Sequence, residues 1–308
     1  MSPYFAYDST GHRIDLETPA QRLICLSASG IDALIELGLE PIGGLRRGVA
    51  GQPEFYGERV QDWIDVGSWV LPNLRAIAQG QPDLILGWQF PHRLQRWRLA
   101  TVAPLYLMGN SGYKAAVLRL LDIAYLTGRM ERAEAAIAAL DQQLTAYWQC
   151  LQHHPRKTVL MMGGSRLNLW CDRYPIETDT GTLGSLLQRF THFPWSKPDL
   201  TQGEAGLTYL SLSKIAKIDP DVVLIQSYGS ATRPLSQLLT TDRRWQQLKA
   251  VQTGQVYEIP QFWHWGNGTR LIQLMLRQIL PLIYPSCFTK TTDPVSDSLS
   301  STLENEAS

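Results

Sequence analysis

The sequence lacks an excess of charge of either sign. Its 308 residues include 28 Lys and Arg and 28 Asp and Glu, so the formal net charge is zero. Proteins that bind nucleic acid usually carry a clear basic excess, so the composition gives no support to a nucleic-acid partner. With 44% hydrophobic and 18% charged residues, it is typical of a globular chain.

Long apolar runs and targeting segments are also missing. No run approaches the roughly 18 apolar residues that a membrane-spanning helix requires. The most apolar stretch, 271–284, is interrupted by Gln273, Arg277 and Gln278 and predicts an amphipathic helix. The first ten residues, MSPYFAYDST, contain no basic segment followed by an apolar core, so no secretory signal is visible. Composition alone leaves the compartment open.

Cysteines are few and show no motif spacing. The four of them, Cys25, Cys150, Cys171 and Cys287, form no CxxC pair. Cys25 lies in an apolar run and is predicted to be buried, whereas the sequence leaves open whether Cys150 and Cys171 form a disulfide. The chain also carries no Gly-x-Ser-x-Gly, His-Glu-x-x-His, Walker or Gly-x-Gly-x-x-Gly motif, so we predict that it is not an enzyme.

Short apolar runs alternate with helical patterns along most of the chain. Seven runs of about five residues predict buried strands: 23–27, 41–45, 84–87, 104–108, 158–163, 222–226 and 256–260. Residues 31–39 and 74–79 have helical spacing. This alternation predicts an α/β protein with parallel, doubly wound sheets.

The middle of the chain predicts only helix. From 115 to 151 Ala, Leu, Glu, Gln and Arg dominate, and Gly128 is predicted to divide two helices, the second spanning 131–152. We therefore predict an N-terminal α/β lobe at 1–114, a helical connector at 115–155 and a C-terminal α/β lobe at 156–285. The segment 286–308 is rich in Ser, Thr, Asp and Glu and predicts a disordered tail.

An internal repeat supports two equivalent lobes. The segments NLRAIAQGQPDLILG and SLSKIAKIDPDVVLI each predict a short helix, a Pro-Asp turn and an apolar strand. Ligands of open α/β sheets sit at the carboxyl ends of the strands, so we predict a ligand cleft between the lobes.

The chain resembles the periplasmic binding proteins for iron–siderophores, haem and cobalamin, whose two α/β lobes are joined by a single rigid helix. The resemblance covers residues 7–288. It is carried by DSTGHRIDLETPAQRLICLSASGIDALIELGLEPIGG, DVGSWVLPNLRAIAQGQPDLILG, LSLSKIAKIDPDVVLI and RRWQQLKAVQTGQVYEIP, followed by a helix ending in LIYPSCF.

The resemblance implies a monomeric solute-binding protein that captures a ferric siderophore or similar metal chelate for an ABC permease, with no permanently bound cofactor. It also implies the periplasm or cell envelope, with a cytoplasmic location as the alternative. Other functions left open are haem or cobalamin binding in the same cleft, and a cytoplasmic chelate sensor or chelatase-like protein that docks on no permease.

Candidate ligand-binding residues follow the predicted strand ends. In the first lobe they are Arg46, Arg47, Trp69, Trp88 and Arg93, with His92 close by. In the second lobe they are Arg166, Tyr228, Arg233, Trp263, His264 and Trp265. Aromatic faces suit the apolar rims of a chelate, and guanidinium groups suit its anionic oxygens. The resemblance places Trp69 and Trp88 where cobalamin-binding members carry pocket tryptophans, and His264 is either an iron ligand or a pocket wall.

The predicted docking positions depart from the family. Its members carry a glutamate on each lobe that docks on arginines of the permease, and the matching positions lie seven residues before the proline of each Pro-Asp pair. Here those positions are Arg75 and Ser213. The resemblance therefore implies a permease partner, while these two residues exclude the usual pair of salt bridges.

Overall fold

The fold is built around two five-stranded sheets, one in each half of the chain. The structure is a computed structural model, and it describes residues 4–46, 56–109, 112–196, 206–228, 233–259 and 268–288. The first sheet is parallel throughout, in the order β5-β4-β3-β6-β7. Its strands are β3 (Leu23–Cys25), β4 (Gly43–Gly44), β5 (Ile64–Asp65), β6 (Leu84–Trp88) and β7 (Leu105–Met108). Ahead of it, β1 (Tyr4–Tyr7) and β2 (Arg13–Leu16) form an antiparallel hairpin.

Both faces of the first sheet are covered, because alternate residues of its strands point to opposite sides. Leu23 and Leu84 pack in one cluster, while Ile24 and Ile85 pack in another. The helices of this lobe are α1 (Ala28–Glu36), α2 (Leu74–Gln79), α3 (Gln89–His92) and α4 (Arg96–Leu99). At β4 the chain needs glycine, since a Cβ on Gly43 would lie 3.0 Å from the Ile64 Cβ and carbonyl oxygen.

The second sheet is mixed rather than parallel. Its order is β10-β9-β8-β11-β12, and β9 runs antiparallel to both neighbours. The strands are β8 (Val159–Gly164), β9 (Tyr174–Glu177), β10 (Leu207–Leu210), β11 (Val222–Ser227) and β12 (Val256–Glu258). The predicted parallel arrangement holds for β8, β11 and β12, and it was wrong for β9, which runs antiparallel to β8 and β10. Pro175 and the buried Glu177 hide β9 in the sequence, because neither residue is typical of an inner strand.

Helices join and cover the second sheet. The connector consists of α5 (Tyr113–Thr127) and α6 (Met130–Leu151), and Gly128 separates them in a left-handed conformation with φ 68°, which confirms the predicted division. With 22 residues, α6 is about 33 Å long. The remaining helices are α7 (Arg166–Cys171), α8 (Gly184–Phe190), α9 (Leu212–Ile218), α10 (Leu235–Leu238), α11 (Arg243–Gln246), α12 (Lys249–Gln252), α13 (Thr269–Ile283) and α14 (Pro285–Phe288). Residues 286–288, predicted as the start of the tail, therefore lie in a helix.

Helix α13, the long amphipathic helix near the end of the described chain, links the two lobes. It packs on α1, α5 and α6 while its apolar residues belong to the core of the second lobe. The fully buried Asp32 of α1 accepts the backbone N–H of Leu271 at 3.3 Å, and its other oxygen lies 3.3 Å from Nε of Arg270. Together with α6, this contact confirms two α/β lobes joined by helix. No helix among the described residues is long and apolar enough to cross a membrane.

The buried Glu177 predicts a pH dependence of stability. Burial raises its pKa from 4.5 to about 7, although its carboxylate accepts the N–H groups of Leu183 and Gly184. Since the folded state then holds this proton more tightly than the unfolded chain, stability falls as the pH rises from about 4.5 to about 7. We expect Glu177→Gln to reduce that fall by about 1–3 kcal/mol, measured by urea unfolding at pH 5 and pH 8. An unchanged fall in Glu177→Gln, matching that of the exposed control Glu131→Gln, would contradict this assignment.

Candidate functional site

The first lobe presents two tryptophans beyond its strands. Trp88 is the last residue of β6, and Trp69 lies four residues after the end of β5. Both side chains are half-buried. Because β5 and β6 belong to one parallel sheet, both tryptophan segments leave its carboxyl edge, where open α/β sheets bind ligands.

His92 fixes the two tryptophan segments to each other. Its ring is fully buried; Nδ1 accepts the backbone N–H of Trp88 at 2.9 Å, and Nε2 lies 2.8 Å from the carbonyl oxygen of Trp69. These partners require the neutral tautomer with the proton on Nε2. Burial lowers the pKa of His92 and so favours this neutral form. His92 is therefore a positioning residue for both tryptophans.

Exposed apolar side chains surround this part of the lobe. Phe90, Leu94 and Trp97 recur at helical spacing and are 65–74% exposed. The neighbouring loop adds Val70 and Leu71, and the Gln95 side chain donates to the Val70 carbonyl at 2.6 Å. The predicted ligand residue Arg93 lies among them, exposed, as does Arg98. We call these five apolar residues the apolar rim: Val70, Leu71, Phe90, Leu94 and Trp97. Monomeric proteins rarely expose so many large apolar side chains in one region.

A buried arginine that was not among the predicted site residues lies beneath one tryptophan. The guanidinium carbon of Arg119, on α5, is 5.3 Å from the centroid of the Trp88 ring, and Nη1 donates to the Gly109 carbonyl at 2.9 Å. Burial lowers the pKa of Arg119 to about 10, which leaves it charged at neutral pH. The sequence contains a usable indication, since Arg119 shares the buried face of α5 with Ala116 and Ile123.

We expect Arg119→Leu to weaken the site through Trp88. The change removes the cation from the ring and leaves the Gly109 carbonyl without this donor, so ligand affinity should fall about 3- to 10-fold. Arg119→Lys, which keeps the charge, should recover part of the loss. Tryptophan fluorescence titration measures both, with the exposed Arg129→Leu as the matched control. Equal affinity in Arg119→Leu and Arg129→Leu would exclude a role for Arg119.

In the second lobe, Arg166 and Tyr228 follow two adjacent parallel strands. Arg166 is the exposed first residue of α7, directly after β8 and the capping residue Ser165. The backbone N–H of Tyr228 donates to the Gly164 carbonyl at 2.7 Å. The Tyr228 ring occupies the space where a Cβ of Gly163 would stand, which explains glycine at that position. The structure therefore brings Arg166 and Tyr228 to one edge of the sheet.

Gln226 was missed as a candidate, although it ends the predicted strand 222–226. It is 1% exposed, and neither its amide oxygen nor its amide nitrogen has a hydrogen-bond partner among the residues that the structure describes. Gln226 lies beside Gly163 in the β8–β11 register. A buried amide without partners is costly, which makes Gln226 a candidate for a ligand contact at this strand end.

Of the six other predicted ligand residues, the structure describes two. Arg46 is half-buried and its guanidinium donates to the carbonyl of Gln61. Arg233 is exposed and lies two residues before the first residue of α10. The remaining four lie outside the described residues: Arg47, Trp263, His264 and Trp265.

The two predicted docking positions are equivalent in the structure. Arg75 and Ser213 are each the second residue of a short helix, α2 and α9, and both are exposed. Asn73 and Ser211 cap these helices through their side chains. At the second position Arg244 donates to Ser213 Oγ at 3.2 Å. The repeat found in the sequence thus corresponds to a structural repeat, with Arg75 presenting a positive charge on the first lobe.

The arrangement is suited to binding a ligand through aromatic ring faces and positive charges. Among the described residues no group of three or more His, Cys, Asp or Glu side chains could hold a metal ion. A shallow depression exists on the second lobe, but all its lining residues come from that lobe: Asn168, Cys171, Arg173 and Tyr209. The tryptophans and arginines at the strand ends are therefore the stronger candidate site.

Comparison with known proteins identifies a family. The profile of the family described as "Periplasmic binding protein" matches residues 23–261. The chain is 23% identical over 284 residues to the Fe(3+)-citrate-binding protein YfmC of Bacillus subtilis, covering 90% of this chain and 85% of that protein. It is 26% identical over 248 residues to the Fe(3+) dicitrate-binding periplasmic protein FecB of Escherichia coli, covering 79% and 78%.

Solved structures share the fold. The siderophore-binding protein FhuD of Vibrio cholerae, crystallised with Fe3+–Desferal, superposes with a TM-score of 0.71 at 20% identity, covering 85% of this chain and 98% of that one. The triscatecholate siderophore-binding protein FeuA of Bacillus subtilis, with ferri-bacillibactin, gives a TM-score of 0.71 at 18% identity, covering 89% and 96%.

Proposed function

The chain belongs to the periplasmic binding protein family, and we propose that it captures a ferric siderophore or ferric citrate-type chelate for an ABC importer. The main observation in support of this proposal is that the buried His92 holds Trp69 and Trp88 at one edge of the sheet. A site whose walls are positioned by a buried side chain is preorganised, and preorganisation favours binding.

The chemistry around the tryptophans suits such a chelate. Ferric chelates present anionic oxygens around a bulky and partly apolar body. Trp69, Trp88 and the apolar rim offer aromatic and aliphatic surface. The exposed Arg93 and Arg166, one on each lobe, offer guanidinium groups for carboxylate, catecholate or hydroxamate oxygens. The named relatives that bind ferric citrate support this class.

The chelate is cargo, and the protein proposed here is a carrier rather than a catalyst. The relatives named above are binding proteins. An importer carrier must release its load, so we propose that no cofactor stays bound permanently.

Tryptophan fluorescence titration of the full chain tests the proposal. The panel is ferric citrate, a ferric hydroxamate, a ferric catecholate, haem and cobalamin, each with its metal-free form where one exists. We expect saturable quenching at sub-micromolar concentration by one ferric chelate class. Free tryptophan mixed with each chromophore corrects for light absorption. Failure of all five compounds to quench would overturn the proposal, and saturation by haem or cobalamin alone would replace the ligand class.

We propose an extracytoplasmic location and a permease partner whose contacts differ from the usual pair of glutamate–arginine bridges. The exposed Arg75 is better matched by an acidic than by a basic surface. Fractionation of cells that express the natural gene tests the location. Recovery with the envelope fraction supports the importer, whereas recovery with the cytosol favours a chelate sensor.

A further inference from the structure

The end of the connector helix and the end of the described chain bring two cysteines together. Cys150 is the penultimate residue of α6, and Cys287 lies in α14. The Cys150 Sγ is 3.8 Å from the carbonyl oxygen of Cys287, across 137 residues of sequence. Both cysteines are free thiols in this structure.

Packing on both sides of the thiols holds the two helix ends in place. One helical turn before Cys150, Tyr147 meets Phe288, the neighbour of Cys287, with ring centroids 6.1 Å apart in an edge-to-face arrangement. Leu151 is buried in the core of the second lobe, and α13 packs on both α6 and α14. The approach of the two cysteines therefore follows from the core and not from a loose surface contact.

We propose that Cys150 and Cys287 form a reversible intramolecular disulfide that closes the second lobe into a covalent loop. The residues between them include all five strands of the second sheet, from β8 to β12. A disulfide stabilises chiefly by restricting the unfolded chain, and the restriction increases with the length of the enclosed loop. The bond would tie the end of the connector to the end of the chain, with the whole lobe enclosed between them.

The two thiols differ in exposure, and this difference determines which of them reacts first. Cys150 is exposed, whereas Cys287 is half-buried. Burial, together with the adjacent Cys150 thiol, raises the pKa of Cys287. Since the thiolate is the attacking species and needs access to its oxidant, Cys150 reacts first and Cys287 resolves.

The oxidant is a low-molecular-weight disulfide such as glutathione disulfide. The Cys150 thiolate attacks one sulfur, forming a mixed disulfide and releasing one glutathione thiolate. The Cys287 thiolate then attacks the Cys150 sulfur, forming the protein disulfide and releasing the second. The two cysteine protons end on the two glutathiones, so two thiols and one disulfide give one disulfide and two thiols.

Thiol counting tests the proposal on the full chain. The reduced protein is incubated with glutathione disulfide, unfolded in urea and labelled with a polyethylene-glycol maleimide. We expect the number of labelled cysteines to fall from four to two, with a monomeric band on a non-reducing gel and a peptide joining Cys150 to Cys287. Cys171→Ser, the exposed matched control, should still lose two labels. Cys287→Ser should form no cross-link.

Thermal unfolding supplies an independent readout. Oxidation should raise Tm by about 5–15 °C, and dithiothreitol should reverse the rise. The same shift is expected in Cys171→Ser and no shift in Cys150→Ser. Four labels after oxidation, glutathione adducts without a cross-link, a cross-link to Cys171 or a covalent dimer would each overturn the proposal. None of these results depends on ligand binding, so the ferric chelate proposal stands or falls separately.

Discussion

Replacing Trp88 with alanine is expected to lower the affinity for the chelate by about 10- to 100-fold, which corresponds to about 1.4–2.7 kcal/mol. Trp88 ends β6, is half-buried and has the Arg119 guanidinium on one face. An aromatic side chain held in this way contributes a large contact area with little loss of rotamer freedom on binding. Trp69→Ala should produce a loss of similar size.

The matched control for both substitutions is Trp148→Ala. Trp148 lies on the connector helix α6 and is 50% exposed, so it tests whether loss of any surface tryptophan affects binding. Isothermal titration calorimetry avoids dependence on the tryptophan signal itself. Affinities of Trp69→Ala and Trp88→Ala equal to that of Trp148→Ala would place the ligand elsewhere.

The second large effect is expected from His92. Its ring packs edge-to-face on the Trp69 ring, with centroids 6.2 Å apart, and its two nitrogens hold the backbones of both tryptophans. His92→Ala leaves the Trp88 N–H and the Trp69 carbonyl without their buried partner. Each lost partner costs about 1–3 kcal/mol of stability, and the loosened walls should lower affinity about 10-fold. His92→Asn places an acceptor near the Nδ1 position and should keep the Trp88 bond alone, giving an intermediate loss.

The pH profile distinguishes positioning by His92 from simple packing. Its pKa is lowered from 6.5 by burial, so its contribution to stability is complete above about pH 6.5 and is lost as the pH falls through the lower folded value. A protonated ring could no longer accept the Trp88 N–H. Affinity should therefore fall as the pH decreases through the lowered pKa of folded His92, and the fall should be absent in His92→Asn. The same acid profile in both proteins would remove His92 from this role.

The fold was largely predictable from the sequence, because buried parallel strands leave short apolar runs. Each of the seven predicted runs overlaps a strand, and the helix at 74–79 has the predicted bounds. The division at Gly128 was predictable for a similar reason, since glycine accepts the left-handed conformation that ends α5. Strand β9 was not, because its neighbours in the sheet, and not its own residues, determine that it is extended.

The position of the candidate site could be predicted from the sequence, but the residues that position its tryptophans could not. Trp88 could be found because it follows the apolar run at 84–87, whereas Trp69 was placed by the resemblance, since β5 is only Ile64–Asp65 and was not among the predicted strands. Arg119 could not be linked to Trp88, since the two residues are 31 positions apart in sequence and their contact depends on how α5 packs on β6. The role of His92 likewise depends on the approach of two loops, which only the folded chain defines.

Hydrogen–deuterium exchange with and without a saturating ferric chelate tests the central claim most directly. A chelate held between the lobes should protect backbone amides in two places at once, around Trp69 and Trp88 in the first lobe and around Arg166 and Tyr228 in the second. The connector helix α6 should exchange at the same rate in both states. Protection confined to one lobe, or to the depression formed by Asn168, Cys171, Arg173 and Tyr209, would contradict the account.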